Sequence, residues 1–298
     1  MITLGSRLEE TATFEWDILL ENTPLIQVNV ELEDFAHEYR GIKVLGDGYA
    51  ALEQWVQRYG HKPDEVWLET IRSCKQKAFS NRAIYLEELK KTPGIHVPEL
   101  LEIIQTEFPE NLVLLQENGL QDMWSYFYPY FRFTQGSLSI VPSDQTSLGF
   151  GAAAALGASV ATERPVVALV GDGAFNLFYS DFMTAVQYQI PLIYIVLNNG
   201  GYGWLQNQMN YKHLSDQSLP FVSEEAKAGI QIPQYEFVES LAIRSKGEAQ
   251  EQLRLAWEKY QENKLVVVEV YANLADVHEK ISHVYGDFPL YEQKASKN

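Results

Sequence analysis

A single cysteine in 298 residues, Cys74, rules out a disulfide framework, a cysteine zinc site and a protein-ligated iron–sulfur cluster. Basic residues are also short: 23 Lys and Arg against 40 Asp and Glu leave a formal net charge of −17. That balance speaks against a nucleic-acid backbone or an anionic membrane surface as partner. Long apolar runs are missing too. The longest, Leu148 to Ala161, is too short and too rich in Gly and Ala to span a bilayer. Arg7, Glu9 and Glu10 interrupt the N-terminal stretch where a secretory signal needs apolar residues. These absences lead to the expectation of a soluble cytoplasmic protein, with Cys74 a packed small residue in a helical stretch.

What the chain does contain is α/β patterning. Val166-Val167-Ala168-Leu169-Val170 and Leu192-Ile193-Tyr194-Ile195-Val196-Leu197 are short apolar runs suited to strands buried on both faces. Between them, Phe178, Phe182, Ala185, Val186 and Gln189 recur at helical spacing, so the unit reads strand, helix, parallel strand. The first strand ends in Gly171-Asp172-Gly173-Ala174 and the second in Asn198-Asn199-Gly200-Gly201-Tyr202-Gly203. Asp172 and Asn199 therefore project from the carboxyl ends of neighbouring strands, the edge at which open α/β sheets bind ligands.

One hard carboxylate oxygen, one amide oxygen and a backbone carbonyl at Gly201 suit a magnesium-bound diphosphate, since magnesium takes few protein ligands and completes its octahedron with phosphate and water. Gly171 and Gly173 let backbone approach phosphate oxygens, and a helix starting near Phe175 points its positive end at the anion. The same tripeptide occurs at Gly46-Asp47-Gly48. No Asn pair follows it at the matching distance, where Cys74 stands, so it reads as an ordinary turn.

The pairing of GDG with a later NN resembles the fingerprint of thiamine diphosphate-dependent enzymes, in the branch of benzoylformate decarboxylase and acetolactate synthase. Thr184-Ala185-Val186-Gln187-Tyr188-Gln189-Ile190-Pro191 and the Asn198 to Gly203 loop carry that likeness, together with the upstream Ser147-Leu148-Gly149-Phe150-Gly151-Ala152 run. The resemblance implies a parallel-sheet α/β domain with flanking helices, and Mg2+ held by Asp172, Asn199 and Gly201. It places the cofactor against Glu117, Gly149, Gly171, Gly173, Ala174, Asn176 and Tyr202, with Leu148 as the apolar wedge that keeps it bent. Trp204 and Leu205 fall in the substrate pocket. Leu205 stands where pyruvate-decarboxylase-like members carry a glutamate, so no carboxylate proton donor is available there. Trp204 either narrows the pocket toward a small 2-oxo acid or packs against a partner.

The same resemblance divides the chain. Residues 1–60 resemble the closing strands of the family's central Rossmann-like domain, 61–95 form a helical connector with Trp67, Ile71, Cys74 and Ala78 on one face, and 96–298 hold the diphosphate-binding domain with a polar tail from 273. In the family, a glutamate on a separate pyrimidine-binding domain activates the cofactor. No residue here matches it; His278 and Glu279 read as a solvated pair. The expectation is a split enzyme, a heterotetramer whose second chain carries that domain and completes the sheet left with an open edge.

Three functions compete. They are a subunit of a 2-oxo acid decarboxylase or carboligase, a non-catalytic cofactor-binding or regulatory subunit, and the thiamine-binding subunit of a 2-oxo acid oxidoreductase or lipoyl-linked dehydrogenase. The first is favoured, and a truncated pseudogene product is the dull competitor. Gln121, Trp124, Gln206 and Gln208 are candidates for the entrance and His213 for a general acid. The 2-oxo acid, the acceptor and the retention of a flavin (FAD) are left open.

Overall fold

The protein is described by a computed structural model that covers residues 1–8, 13, 23–60, 64–142, 145–211 and 229–272. His213, His278, Glu279, the 273–298 tail and the side chain of Gln208 lie outside the described residues. Two compact units emerge, and the division falls between Cys74 and Lys75.

The first unit is a three-stranded parallel sheet, β1 (Ile2–Leu4), β2 (Leu25–Asn29) and β3 (Gly41–Leu45), in that order. Its central strand is buried. The Gln27 amide there is fully enclosed, donating to the Ala36 carbonyl and accepting from the Ala36 N–H at 3.1 and 3.0 Å. The outer strands are not: Ile2, Ile42 and Leu45 are exposed. Helix α1 (Gly48–Tyr59) follows, with Ala50 N–H donating to Asp47 Oδ1 at 2.8 Å. The Gly46-Asp47-Gly48 tripeptide is thus a helix start, its aspartate a cap. Helix α2 (Glu65–Leu89) contains the division between the units. Cys74 on this helix is exposed, not packed, and Trp67 is exposed as well.

The second unit is built on a six-stranded sheet. Its strands are β4 (Val113–Gln116), β5 (Leu138–Ile140), β6 (Val166–Gly171), β7 (Ile193–Asn198), β8 (Val238–Ile243) and β9 (Leu265–Tyr271). Their order is β5-β4-β6-β7-β9-β8, and every neighbouring pair is parallel. Period-two alternation sorts the side chains into two cores. Leu169, Ile195 and Val268 pack with helices α3 (Val97–Glu107), α4 (Leu120–Tyr126) and α8 (Lys246–Gln261) on one face. Ala168, Tyr194 and Val267 pack with α5 (Phe150–Ala161) and α6 (Asp172–Gln187) on the other. Burial on both faces is why β6 and β7 read as unbroken apolar runs. The periodicity expected for α6 is seen directly: Phe178, Phe182 and Ala185 are buried, and the two phenyl rings lie against Tyr194.

The register fixes the site. Val170 pairs with Val196 and Gly171 with Leu197, so β6 and β7 end level and release Asp172 and Asn199 onto one edge of the sheet. Helix α6 starts at Asp172 itself, three residues earlier than the apolar spacing suggests.

Candidate functional site

Asp172 is the first residue of α6, and its side chain is 4 % exposed. Its Oδ2 accepts the Gly200 N–H at 3.1 Å. Burial pushes its carboxyl up to about 6, against the pull of N–H groups from Asn199, Gly173 and Gly200. The strand end thus delivers an acceptor-rich carboxylate that is costly to ionise unless a cation stands beside it.

Asn199 supplies the second arm. One terminal atom of its amide lies 2.9 Å from the Gly201 carbonyl oxygen and 3.3 Å from Asp172 Oδ1. A nitrogen at that position donates to both neighbours, whereas an oxygen there joins two others, at 2.9 and 3.3 Å from it. Such spacings are close to those of adjacent ligands on an octahedron with metal–oxygen distances of ~2.1 Å. A 180° turn of the amide separates the two arrangements, so the donor set fits a small divalent ion. Among the described residues no group of three His, Cys, Asp or Glu side chains offers a rival metal site.

Beside these oxygens lies a cavity of about 280 Å³. Leu148, Gly173, Ala174, Asn199, Gly201, Tyr202, Trp204 and Leu205 line it, as expected from the sequence, and Val97, Asn118, Gly119, Gln121, Thr146, Leu197, Gly203 and Ala272 complete it. No Asp, Glu, His, Lys or Arg is among these residues. Tyr202 folds over the α6 start: a Cβ on Gly173 would lie 2.8 Å from the tyrosine ring, whereas nothing stands within 4 Å of a Cβ on Gly171. Trp204 is only partly buried and packs against the core beneath α3 and α8. Leu205 is 39 % exposed.

The remaining expected residues sit around the cavity and not on its wall. Glu117 is fully buried, and its carboxylate accepts the N–H of Gly151 at 2.9 Å and of Asn118 at 3.2 Å. It thereby caps the amino end of α5 from the end of β4. Gly149 starts α5 in the left-handed region at φ 88°, and Asn176 is exposed on the outer face of α6. Sequence reasoning missed Thr146 and Ala272 on the wall, for neither carries a pattern, whereas Asn118 and Gly119 belong to the polar loop after β4 that the family resemblance sets near the cofactor. Gln121, expected at the entrance, does line the cavity, while Trp124 is fully buried in the core.

Asp122, in the first turn of α4, offers a pH handle. Burial lifts its carboxyl to about 7 despite the Gly119 N–H donating at 3.1 Å, and Glu117 pushes it the same way. Its folded value exceeds the unfolded one, so the folded protein holds the proton more tightly. The associated stability is complete below pH 4 and lost as the pH rises through about 7. Asp122→Asn is therefore expected to be more stable than the wild type at pH 8 by a few kcal/mol, at ~1.4 kcal/mol per pH unit between the two values, with the gap closing at pH 4. Urea unfolding at both pH values reads this; a gap independent of pH contradicts it.

Comparison with known proteins places this geometry. The family described as thiamine pyrophosphate enzyme, C-terminal TPP binding domain, matches residues 117–270, just over half of the chain. The acetolactate synthase large subunit of Lactococcus lactis is 24% identical over 226 residues, covering 74% of this chain and 38% of that protein. Acetolactate synthase isozyme 3 large subunit of Escherichia coli is 25% identical over 289 residues, covering 91% of this chain and 47% of its own. The chain spans less than half the length of these relatives. Among solved structures, the thiamine diphosphate-dependent 4-hydroxybenzoylformate decarboxylase of Rhodococcus jostii RHA1 superposes with a TM-score of 0.61 at 18% identity, over 85% of this chain and 45% of that one. No helix among the described residues is long and apolar enough to cross a membrane. With the GDG and NN loops meeting at one sheet edge beside a cavity, and the family match spanning both, this chain belongs to the thiamine diphosphate-dependent enzymes and carries their C-terminal cofactor-binding domain.

Proposed function

We propose that this chain is the diphosphate-binding subunit of a magnesium-dependent enzyme that decarboxylates a 2-oxo acid, and that a second chain contributes the pyrimidine-binding domain and its activating glutamate in a heterotetramer. The observation that carries the reading is a cavity with three oxygens at its edge and, among the described residues, no carboxylate, histidine, lysine or arginine on its wall. Exposed apolar residues on the outer strands of the small sheet, Ile2, Ile42 and Leu45, are consistent with a partner completing that sheet. The substrate class, 2-oxo acids, follows the name of the 4-hydroxybenzoylformate decarboxylase, since 4-hydroxybenzoylformate is one.

Bound thiamine diphosphate supplies the electron sink for cleaving the bond between a carboxylate and its carbonyl carbon. The chain's own part is binding and shaping. Asp172 Oδ1, the Asn199 amide oxygen and the Gly201 carbonyl would hold Mg2+, and the amino end of α6 would favour the diphosphate charge. Leu148 presents an apolar surface at the cavity wall, against which the cofactor would rest. Trp204 and Leu205 line the same cavity and would bound the donor end, with Trp204 narrowing it toward a small 2-oxo acid. We assign proton transfer to the partner chain, because no carboxylate or histidine among the described residues lines this wall.

The test is reconstitution. The purified chain, a neighbouring-gene product bearing the pyrimidine domain, and their mixture are each assayed for CO2 release from pyruvate with Mg2+ and thiamine diphosphate. The mixture alone is expected to turn over. Turnover by this chain unaided removes the split-site reading; cofactor binding by the mixture without turnover supports a binding or regulatory subunit instead.

A further inference from the structure

Glu269 is a charged residue in the middle of a core strand, and the cavity does not use it. It lies on β9, paired with Val196 of β7, two residues before Asn198 on the same face. Its Oε1 accepts the Asn198 amide at 2.6 Å and the Ile230 N–H at 3.0 Å. Asn198, 2 % exposed, turns its own Oδ1 to the Gly200 N–H at 3.0 Å, and that N–H is shared with Asp172 Oδ2 at 3.1 Å. A continuous chain of hydrogen bonds therefore runs from the carboxylate of β9, through the first asparagine of the NN pair, to the glycine between the metal-binding Asn199 and Gly201.

Each link has a physical reason. A carboxylate acceptor makes the strongest hydrogen bond available to an amide N–H2 and fixes which end of Asn198 faces Gly200, because only the oxygen end can then accept from that N–H. Gly200 stands at φ 89°, one of several conformations open to glycine without strain, so hydrogen bonds rather than local sterics must fix the turn. Through Asn198, Glu269 supports one of them. We infer that Glu269 is a positioning residue for the metal loop: acting through Asn198, it holds the Gly200 turn so that the Gly201 carbonyl and the Asn199 amide oxygen meet Asp172. The inference assigns Asn198 and Glu269 roles beyond the site residues and rests on the proposed function only for its second readout.

The first readout is amide hydrogen exchange of the 199–203 segment in the cofactor-free chain. Glu269→Ala is expected to speed exchange there about tenfold or more, whereas Glu269→Gln, which keeps an acceptor, stays within about threefold of the wild type. Asn198→Leu, which leaves Glu269 and the Ile230 N–H in place, reproduces the increase even where Glu269→Ala folds poorly. Combined with Glu269→Ala it adds nothing more. The second readout is the Mg2+ concentration needed for thiamine diphosphate binding, expected to rise about 10- to 100-fold in Glu269→Ala and in Asn198→Leu. Unchanged exchange at 199–203 in both variants, or multiplicative effects in the double variant, overturns the inference. If the wild-type chain binds no cofactor, the functional reading fails while the exchange measurements still decide the role of Glu269.

Discussion

Asp172→Asn is expected to weaken Mg2+-dependent binding of thiamine diphosphate by about 100-fold or more while leaving the chain folded. The carboxylate is the only charged group among the three oxygens that converge at the sheet edge, and a hard dication draws most of its protein-side binding energy from such a charge. The substitution keeps an acceptor for the Gly200 N–H at nearly the same position and leaves the sheet beneath intact, because Val166 to Val170 are fully enclosed without help from Asp172. Calorimetric titration of the cofactor with and without Mg2+ gives the affinity, and circular dichroism reports the fold. Asn199→Ala is expected to act in the same direction through loss of one neutral ligand. Wild-type affinity in either variant means that the oxygens do not hold the ion.

The second large effect is expected at Gly173. A Cβ there would stand 2.8 and 2.9 Å from two carbons of the Tyr202 ring, and an aromatic ring has no flexible end with which to give way. Gly173→Ala must push Tyr202 outward, and with it the loop that bears Asn199 and Gly201. A cost of about 1–3 kcal/mol in stability is expected from the overpacking, together with at least a tenfold loss of cofactor affinity. Gly171→Ala is the informative contrast. With nothing within 4 Å of its Cβ, it is expected to leave unfolding unchanged, so any loss of affinity there arises against the ligand alone. Equal stability loss at the two positions contradicts this division of roles.

The parts of the molecule that were legible in the sequence are those where burial forces a pattern. β6 and β7 are enclosed on both faces, so their apolar runs could not be anything else, and α6 shows its buried face through Phe178, Phe182 and Ala185. The site residues at the two strand ends followed from turn chemistry and a family fingerprint. Other elements left weaker marks. β5 and β8 lie at the edges of the sheet, where partial exposure dilutes the alternation, and neither was anticipated. α1 went unseen because its tyrosines and valine face outward and its cap was hidden in a tripeptide that imitates the true site. Glu117 was expected at the cofactor, and only the fold reveals that its carboxylate is directed at the α5 amino end, a contact 34 residues apart in sequence. Likewise the link between Asn198 and Glu269 joins positions 71 residues apart, beyond the reach of any local pattern.

The grip on the metal is tested most directly by crystals of the chain, with its partner if needed, grown with thiamine diphosphate and Mn2+ and measured at the manganese absorption edge. One anomalous peak is expected at ~2.1–2.3 Å from Asp172 Oδ1, the Asn199 amide oxygen and the Gly201 carbonyl oxygen, with the Asn199 nitrogen turned away. Cofactor density with no peak at those three oxygens, or with the amide nitrogen still facing Asp172, contradicts the account.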